Sequence, residues 1–471
     1  MADVYQSPLT RRYATEEMSH LFSERRRTLA FRDLWIALAT AEKDLGLPIS
    51  EAQIEALRRA RDTIDEGRIG ELEKSLRHDV MAHVHAFGEL APEAMPILHL
   101  GATSCFVGDN ADLLIFREAL VLIEKKLRIL LARLSKEARC YADLPILGAT
   151  HYQAAQPTTL GKRICLWMMD LLFDLEEVQG LLTRLRLRGA KGTTGTQASF
   201  LSLFGGDEEK VRRLDEAIAE AFDVPGTYPI TGQTYSRKVD AQILQALGNL
   251  GASLHKMTND LRLMQHDKEV EEPFEKHQIG SSAMAYKRNP MRSERIASLS
   301  KYLMNLAHNG PMVHATQWLE RTLDDSANRR LAMAEAFLTA DGLLELAINV
   351  VSGLVVHEKT IRRRLMEEVP FLATEELLMD GVKAGGNRQE LHEIIRVHAQ
   401  EAAKRVKDEG KENDLLHRLA ADPAFPLKEE DIPHYHDPAR YIGRAPSQVL
   451  EFLEAIDDQC IPDDYEATIR V

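Results

Sequence analysis

Long stretches with apolar residues at three- and four-residue spacing alternate along this chain with short polar islands, and the contrast divides it into rods and loops. The periodicity predicts long helices over 112–141, 159–188, 236–266, 291–308 and 324–355. In the first of these, Leu113, Phe116, Leu120, Ile123, Leu127, Leu130 and Leu134 form one stripe, which Leu114, Val121 and Leu131 widen beyond a single seam. With no Gly or Pro to break it, this segment predicts a rod about 45 Å long. Rods with surplus apolar surface predict an elongated bundle whose remaining faces are covered by other copies of the chain. Residues 1–103, punctuated by Pro48, Gly67 and Pro92, read as a lobe of shorter helices, 104–356 as the central bundle, and 357–471 as a further helical domain. Strand signals are limited to stretches such as 227–231, so the expected class is all-α, or mainly α.

The island at 280–294, GSSAMAYKRNPMRSE, carries nucleophilic, cationic and amide side chains around glycine and proline where an apolar repeat would build core. Asn289 followed by Pro290 predicts a helix start, with Asn as the cap and Pro at the first helical position. Ser281, Ser282, Lys287, Arg288 and Asn289 would then sit at a positive helix end, suited to holding an anion or stabilising developing negative charge. Met284 reads as a buried residue of this loop. Three more islands begin at His99, Leu147 and Ile230. In the first, Asn110 and Asp112 read as helix caps. In the second, His151 lies between Thr150 and Gln153, available for proton transfer near neutral pH.

Composition narrows the choices. The 471 residues are 44% apolar with a formal charge of -14, which disfavours a nucleic-acid binder. The apolar runs are too broken for a membrane span and the start lacks a signal-like core, so a cytoplasmic protein is expected. Cys105, Cys140, Cys165 and Cys460 have neither disulfide-framework nor zinc-ribbon spacing. His78, His83 and His85 do not share one helical face, and with no HExxH motif no metal site is assigned. Arg11, Arg12, Arg295, Arg321, Arg329 and Arg330 gather in or beside the islands of an acidic chain, which suggests an anionic small molecule.

SSAMAYKRNP at 281–290 resembles the SSxMPxKxNP signature of the fumarase and aspartase superfamily, with Ala285 in place of its proline. The stretches SPLTRRY, RHDV, HLGATSCFVGD, GATHYQAAQ, KGTTGTQASF, ITGQTYSRKVD and ERTLDDSANRR are similar to animal-type adenylosuccinate lyases, although Ala154 stands where that family often has proline. The resemblance implies three-domain helical subunits in a homotetramer with active sites shared between subunits, and no cofactor. It implies β-elimination of fumarate from adenylosuccinate, giving AMP, and from succinylaminoimidazole carboxamide ribotide in purine biosynthesis. By the same resemblance Ser281 is the general base, His151 the general acid, Lys287 the stabiliser of the ionised serine, and Glu294 the partner of His151. Arg12, Tyr13, Arg295, Ser326 and Arg330 would surround the phosphate, with Arg321 in the same set. Arg77, His78, Asp79, Thr103, Ser104 and Gln233 would hold the base and succinyl portions. Argininosuccinate lyase, fumarase and a silent scaffold with the same bundle are the alternatives. The phosphate-side arginines and the presence of Ser281, His151, Lys287 and Asn289 weigh against them.

Overall fold

The computed structural model describes residues 4–461 and 464–470; residues 1–3, at the start of the polar opening stretch, lie outside that range with 462–463 and 471. The first lobe contains helices α1 (Glu24–Asp44) and α2 (Asp79–Leu90). The central bundle is built from α3 (Ser104–Cys140), α4 (Leu160–Arg184), α5 (Lys238–His266), α6 (Met291–Ala307) and α7 (Asp325–Ser352). All five predicted rods are present. The first is longer than periodicity suggested, because α3 begins at Ser104 and spans about 55 Å.

That early start corrects the reading of Asn110 and Asp112 as caps, since both lie inside α3. Asn110 is buried and joins Gly189 through both ends of its amide, donating to the carbonyl at 3.3 Å and accepting the N–H at 3.0 Å. Asp112 pairs with Arg329 at 3.1 Å. Polar residues that look like loop in one dimension are here the interior of a helix, satisfied by distant chain.

Helix α7 is the axle of the bundle. From Ala336 to Ala347 every residue is buried, including Asp341 and Glu345, so this helix is enclosed on all sides, as a helix with no polar face must be. Apolar side chains of the first lobe and the bundle form one continuous core, to which Val449, Leu453 and Ile456 return from near the end of the chain. Residues 373–435 enclose a core of their own around Leu377, Leu391, Leu415 and Phe425.

Strand structure is sparse among the described residues but consequential. A hairpin of β1 (Pro145–Thr150) and β2 (Gln153–Thr159) follows α3, with Thr150 paired to Gln153. A second pair joins Val270–Glu271 to Val355–Val356. The stretch at 227–231, expected to be extended, contributes one isolated bridge between Thr227 and Leu187.

Candidate active site

A cavity of about 480 Å³ opens where the first lobe meets the starts of α3 and α7. Eight of the residues that the resemblance assigns to substrate line it: Arg77, His78, Asp79, Ser104, Gln233, Arg321, Ser326 and Arg330. His78 sits at the start of α2, where its Nδ1 accepts the Met81 N–H at 3.2 Å. That bond places the imidazole proton on Nε2, which faces the Ser104 hydroxyl at 3.4 Å. Gln233 is fixed at both ends, donating to the Thr193 carbonyl at 3.2 Å and lying 3.6 Å from the Cys105 thiol. Burial pushes that thiol up to about 11, so it is held neutral.

Asp79 organises one wall. Its carboxylate accepts from Arg27 at 3.2 Å and from Arg330 at 3.1 Å. Burial alone would raise its pKa, but Arg27, Arg330 and His83 outweigh that effect and hold it below the usual range. Arg27, which no motif indicated, also lines the cavity, stacked over Phe31 at 4.9 Å.

The floor is a lattice of buried ion pairs. Arg237 bridges Asp109 at 3.1 Å and Asp325 at 2.6 Å. Arg329 pairs with Asp240 and Asp112 and donates to the Tyr235 hydroxyl at 2.6 Å. Arg329 therefore differs from its place in the sequence reading: its guanidinium is committed to the protein. Arg321 donates to Asp325 at 2.8 Å yet keeps about a fifth of its side chain exposed at the cavity.

The remaining sequence candidates lie elsewhere. Ser281 stands on a loop whose neck is closed by Asn289, which donates through Nδ2 to the Gly280 carbonyl at 2.8 Å. At that neck a side chain on Gly280 would collide with the Lys287 carbonyl oxygen, 2.1 Å from the Cβ position. Asn289 is thus a clasp, which corrects its reading as a helix cap. The cap of α6 comes from Glu272, whose carboxylate accepts the N–H groups of Arg292 and Ser293 at 2.8 Å each. It offsets part of the positive charge expected at that helix end.

Met284 is about half exposed and Tyr286 more so, so the reading of Met284 as buried is also corrected. The Ser281 Oγ accepts the N–H groups of Ala283 at 3.3 Å and Met284 at 3.1 Å. Lys287 and Glu294 are exposed, Glu294 in the first turn of α6 beside Arg295.

His151 occupies the tip of the β1–β2 hairpin. Both residues of the two-residue connection, His151 and Tyr152, have positive φ, 52° and 56°, as a type I′ turn requires. Such a turn normally takes Asn or Gly, so bulky side chains here cost local strain, a pattern found at functional tips. His151 is exposed, and among the described residues no hydrogen bond or ion pair joins it to Ser281 or Glu294. Thr103 stands just before α3 in extended conformation, with no cap bond from its side chain. Arg12 and Tyr13 lie in a single helical turn, Leu9–Tyr13, where Tyr13 packs against Gly342. That contact is about 18 Å along α7 from Arg330. One chain therefore builds part of the constellation as a cavity and carries the rest away from it, on the Ser281 loop, the hairpin tip, the first turn of α6 and the turn Leu9–Tyr13.

Residues 10–304 match the family model described as lyase, and 370–452 that described as adenylosuccinate lyase C-terminus. The chain is 51% identical to the adenylosuccinate lyase of Saccharomyces cerevisiae, over 96% of this chain and 94% of that one. It is 50% identical to the adenylosuccinate lyase of Schizosaccharomyces pombe, over 95% and 94%. A crystal structure of 3-carboxy-cis,cis-muconate lactonizing enzyme from Pseudomonas putida superposes with a TM-score of 0.82 at 25% identity, covering 95% of this chain and 98% of that one. Sequence likeness over nearly the whole length and a shared long-helix architecture place the chain in the adenylosuccinate lyase family of the fumarase/aspartase superfamily.

Proposed function

We propose that this lyase removes fumarate from adenylosuccinate, leaving AMP, and from succinylaminoimidazole carboxamide ribotide, leaving aminoimidazole carboxamide ribotide. The observation that carries the mechanism is the environment of Ser281, whose Oγ accepts two backbone N–H groups from its own loop. A serine hydroxyl is a feeble base, but hydrogen bonds to its ionised form favour the alkoxide. Lys287 adds a cation to the same loop, without an ion-pair partner among the described residues.

In this reading the Ser281 alkoxide takes the proton from the carbon next to the succinyl carboxylate. The electrons move into that carboxylate as a doubly charged aci form, stabilised by Lys287. Cleavage of the C–N bond then sends electrons to the purine-side nitrogen, which His151 protonates, and Glu294 steadies the imidazole. Arg12, Tyr13, Arg295, Arg321, Ser326 and Arg330 engage the phosphate and its surroundings, while Arg77, His78, Asp79, Thr103, Ser104, Gln233 and Asn289 line the rest. Acid, base and cations are all side chains, so the proposed chemistry calls on no cofactor or metal.

The separation of His151 and Ser281 from the cavity supports a site completed by neighbouring copies. Leu166, Met169 and Phe173 form an exposed apolar ridge at helical spacing on α4, the kind of surface a homotetramer would cover. No helix among the described residues is long and apolar enough to cross a membrane, and we place the enzyme in the cytoplasm. Purified wild type should release fumarate from adenylosuccinate and none from argininosuccinate, and Ser281→Ala and His151→Ala should each lose about a thousandfold or more in kcat. A folded tetramer with no release would overturn the reading.

A further inference from the structure

Three charges are buried together between α3 and α7. Lys126 pairs with Asp341 and, at 2.8 Å, with Glu345, and none of the three side chains is more than 1% exposed. One ammonium cannot satisfy two carboxylates, and a buried charge short of partners is costly, so each carboxylate needs further donors. The two ends of the chain supply them.

From the N-terminal side, Thr15 donates to Asp341 twice, through its N–H at 2.6 Å and its hydroxyl at 2.9 Å. From the C-terminal side, Glu345 accepts the Tyr465 hydroxyl and, at 2.8 Å, the Thr468 N–H. The ends then touch: Arg470 donates to the Thr10 carbonyl at 3.4 Å and to Glu16 at 3.1 Å. The turn Leu9–Tyr13, ended by a bond from the Ala14 N–H to the Leu9 carbonyl at 2.8 Å, carries the Thr10 anchor and runs on into those at Thr15 and Glu16. One turn does not hold itself together in water. Its position is set from outside, by the anchors and by close packing on α7, where a Cβ at Gly342 would stand 3.0 Å from the Tyr13 backbone.

We propose that segment 464–470 is a strap that positions Arg12 and Tyr13 for the nucleotide phosphate, with Glu345, Tyr465 and Arg470 as positioning residues. The inference rests on the reading of Arg12 and Tyr13 as phosphate contacts. The strap bonds to residues on either side of that pair, at Thr10 and Glu16, and leaves the pair itself available to ligand.

Amide hydrogen exchange over residues 9–15, AMP affinity by calorimetry, and KM with kcat for adenylosuccinate test the strap in the full-length protein. Arg470→Ala should speed exchange in that segment, weaken AMP about tenfold and raise KM by a like factor, with kcat within about twofold. Arg470→Lys should recover most of the loss, Tyr465→Phe should reproduce it, and succinyladenosine, which lacks the phosphate, should be turned over equally by wild type and Arg470→Ala. Unchanged exchange in Arg470→Ala overturns the strap whatever the activity. So does faster exchange with unchanged AMP affinity when Arg12→Ala weakens AMP. If Arg12→Ala leaves AMP affinity unchanged, the phosphate reading of the turn fails, and the positioning role fails with it.

Discussion

The Arg330 guanidinium donates to the Asp79 carboxylate across 3.1 Å, so the cation proposed for the substrate phosphate also has a carboxylate partner within the chain. Arg27 shares the same oxygen at 3.2 Å. Asp79 thus orients two guanidinium groups and cancels part of their charge. A phosphate entering the cavity gains from the first effect and loses from the second.

Asp79→Asn separates the two. Without the carboxylate the cavity becomes more positive, and inorganic phosphate should inhibit several-fold more tightly. Without its orienting bonds, the same variant should raise KM for adenylosuccinate about tenfold. Inhibition and saturation curves on one preparation check both directions; parallel weakening of phosphate and substrate would mean that Asp79 contributes orientation alone.

Much of the fold was legible because long helices advertise themselves: the stripe from Leu113 to Leu134 is a local pattern, and α3 follows it. The start of α3 was hidden because Gly108, Asp109 and Asn110 look like loop until Arg237 and Gly189 arrive from far along the chain. The β1–β2 hairpin was equally hidden, since its tip is His-Tyr in place of Asn-Gly and its strands lack β-branched alternation. Motifs singled out candidates such as Ser281, His151 and the cavity residue His78, yet Arg27 and the Glu272 cap carry no motif. Their roles depend on contacts across 52 and 20 positions of sequence.

Glu272 is accordingly a sharp test of how the Ser281 loop is held. It is buried and caps two N–H groups and the Ser293 hydroxyl at the first turn of α6. Glu272→Ala should cost about 1–2 kcal/mol of stability in urea unfolding. Because α6 begins directly after the Asn289 clasp, kcat should fall with it. The expected loss of stability with unchanged kcat would show that the loop keeps its geometry without the cap.

Ala285 occupies the second position of the turn from Met284 to Lys287, closed by the Lys287 N–H to the Met284 carbonyl at 3.0 Å. Proline is favoured there, and the superfamily signature has it. Ala285→Pro should therefore stiffen the loop with little strain, reduce its cleavage by protease and raise turnover if loop ordering limits the rate. Unchanged turnover together with unchanged protease sensitivity would discard the idea that alanine leaves this loop looser.

Glu42 sets a pH dependence unrelated to the active site. It is fully buried in α1, neither carboxylate oxygen has a hydrogen-bond partner among the described residues, and burial pushes its pKa up to about 8. The folded chain therefore holds a proton that the unfolded chain, with an ordinary value of 4.5, releases earlier. Its contribution to stability is full below pH 4.5 and is lost as pH rises through 8, levelling above that. The size of the shift sets an upper bound of about 5 kcal/mol on this effect. Glu42→Met, close in shape and without charge, should flatten that part of the pH–stability curve and gain more at pH 8 than at pH 5. Urea unfolding of both proteins across this range decides it: parallel curves would mean that Glu42 titrates alike in the folded and unfolded chain.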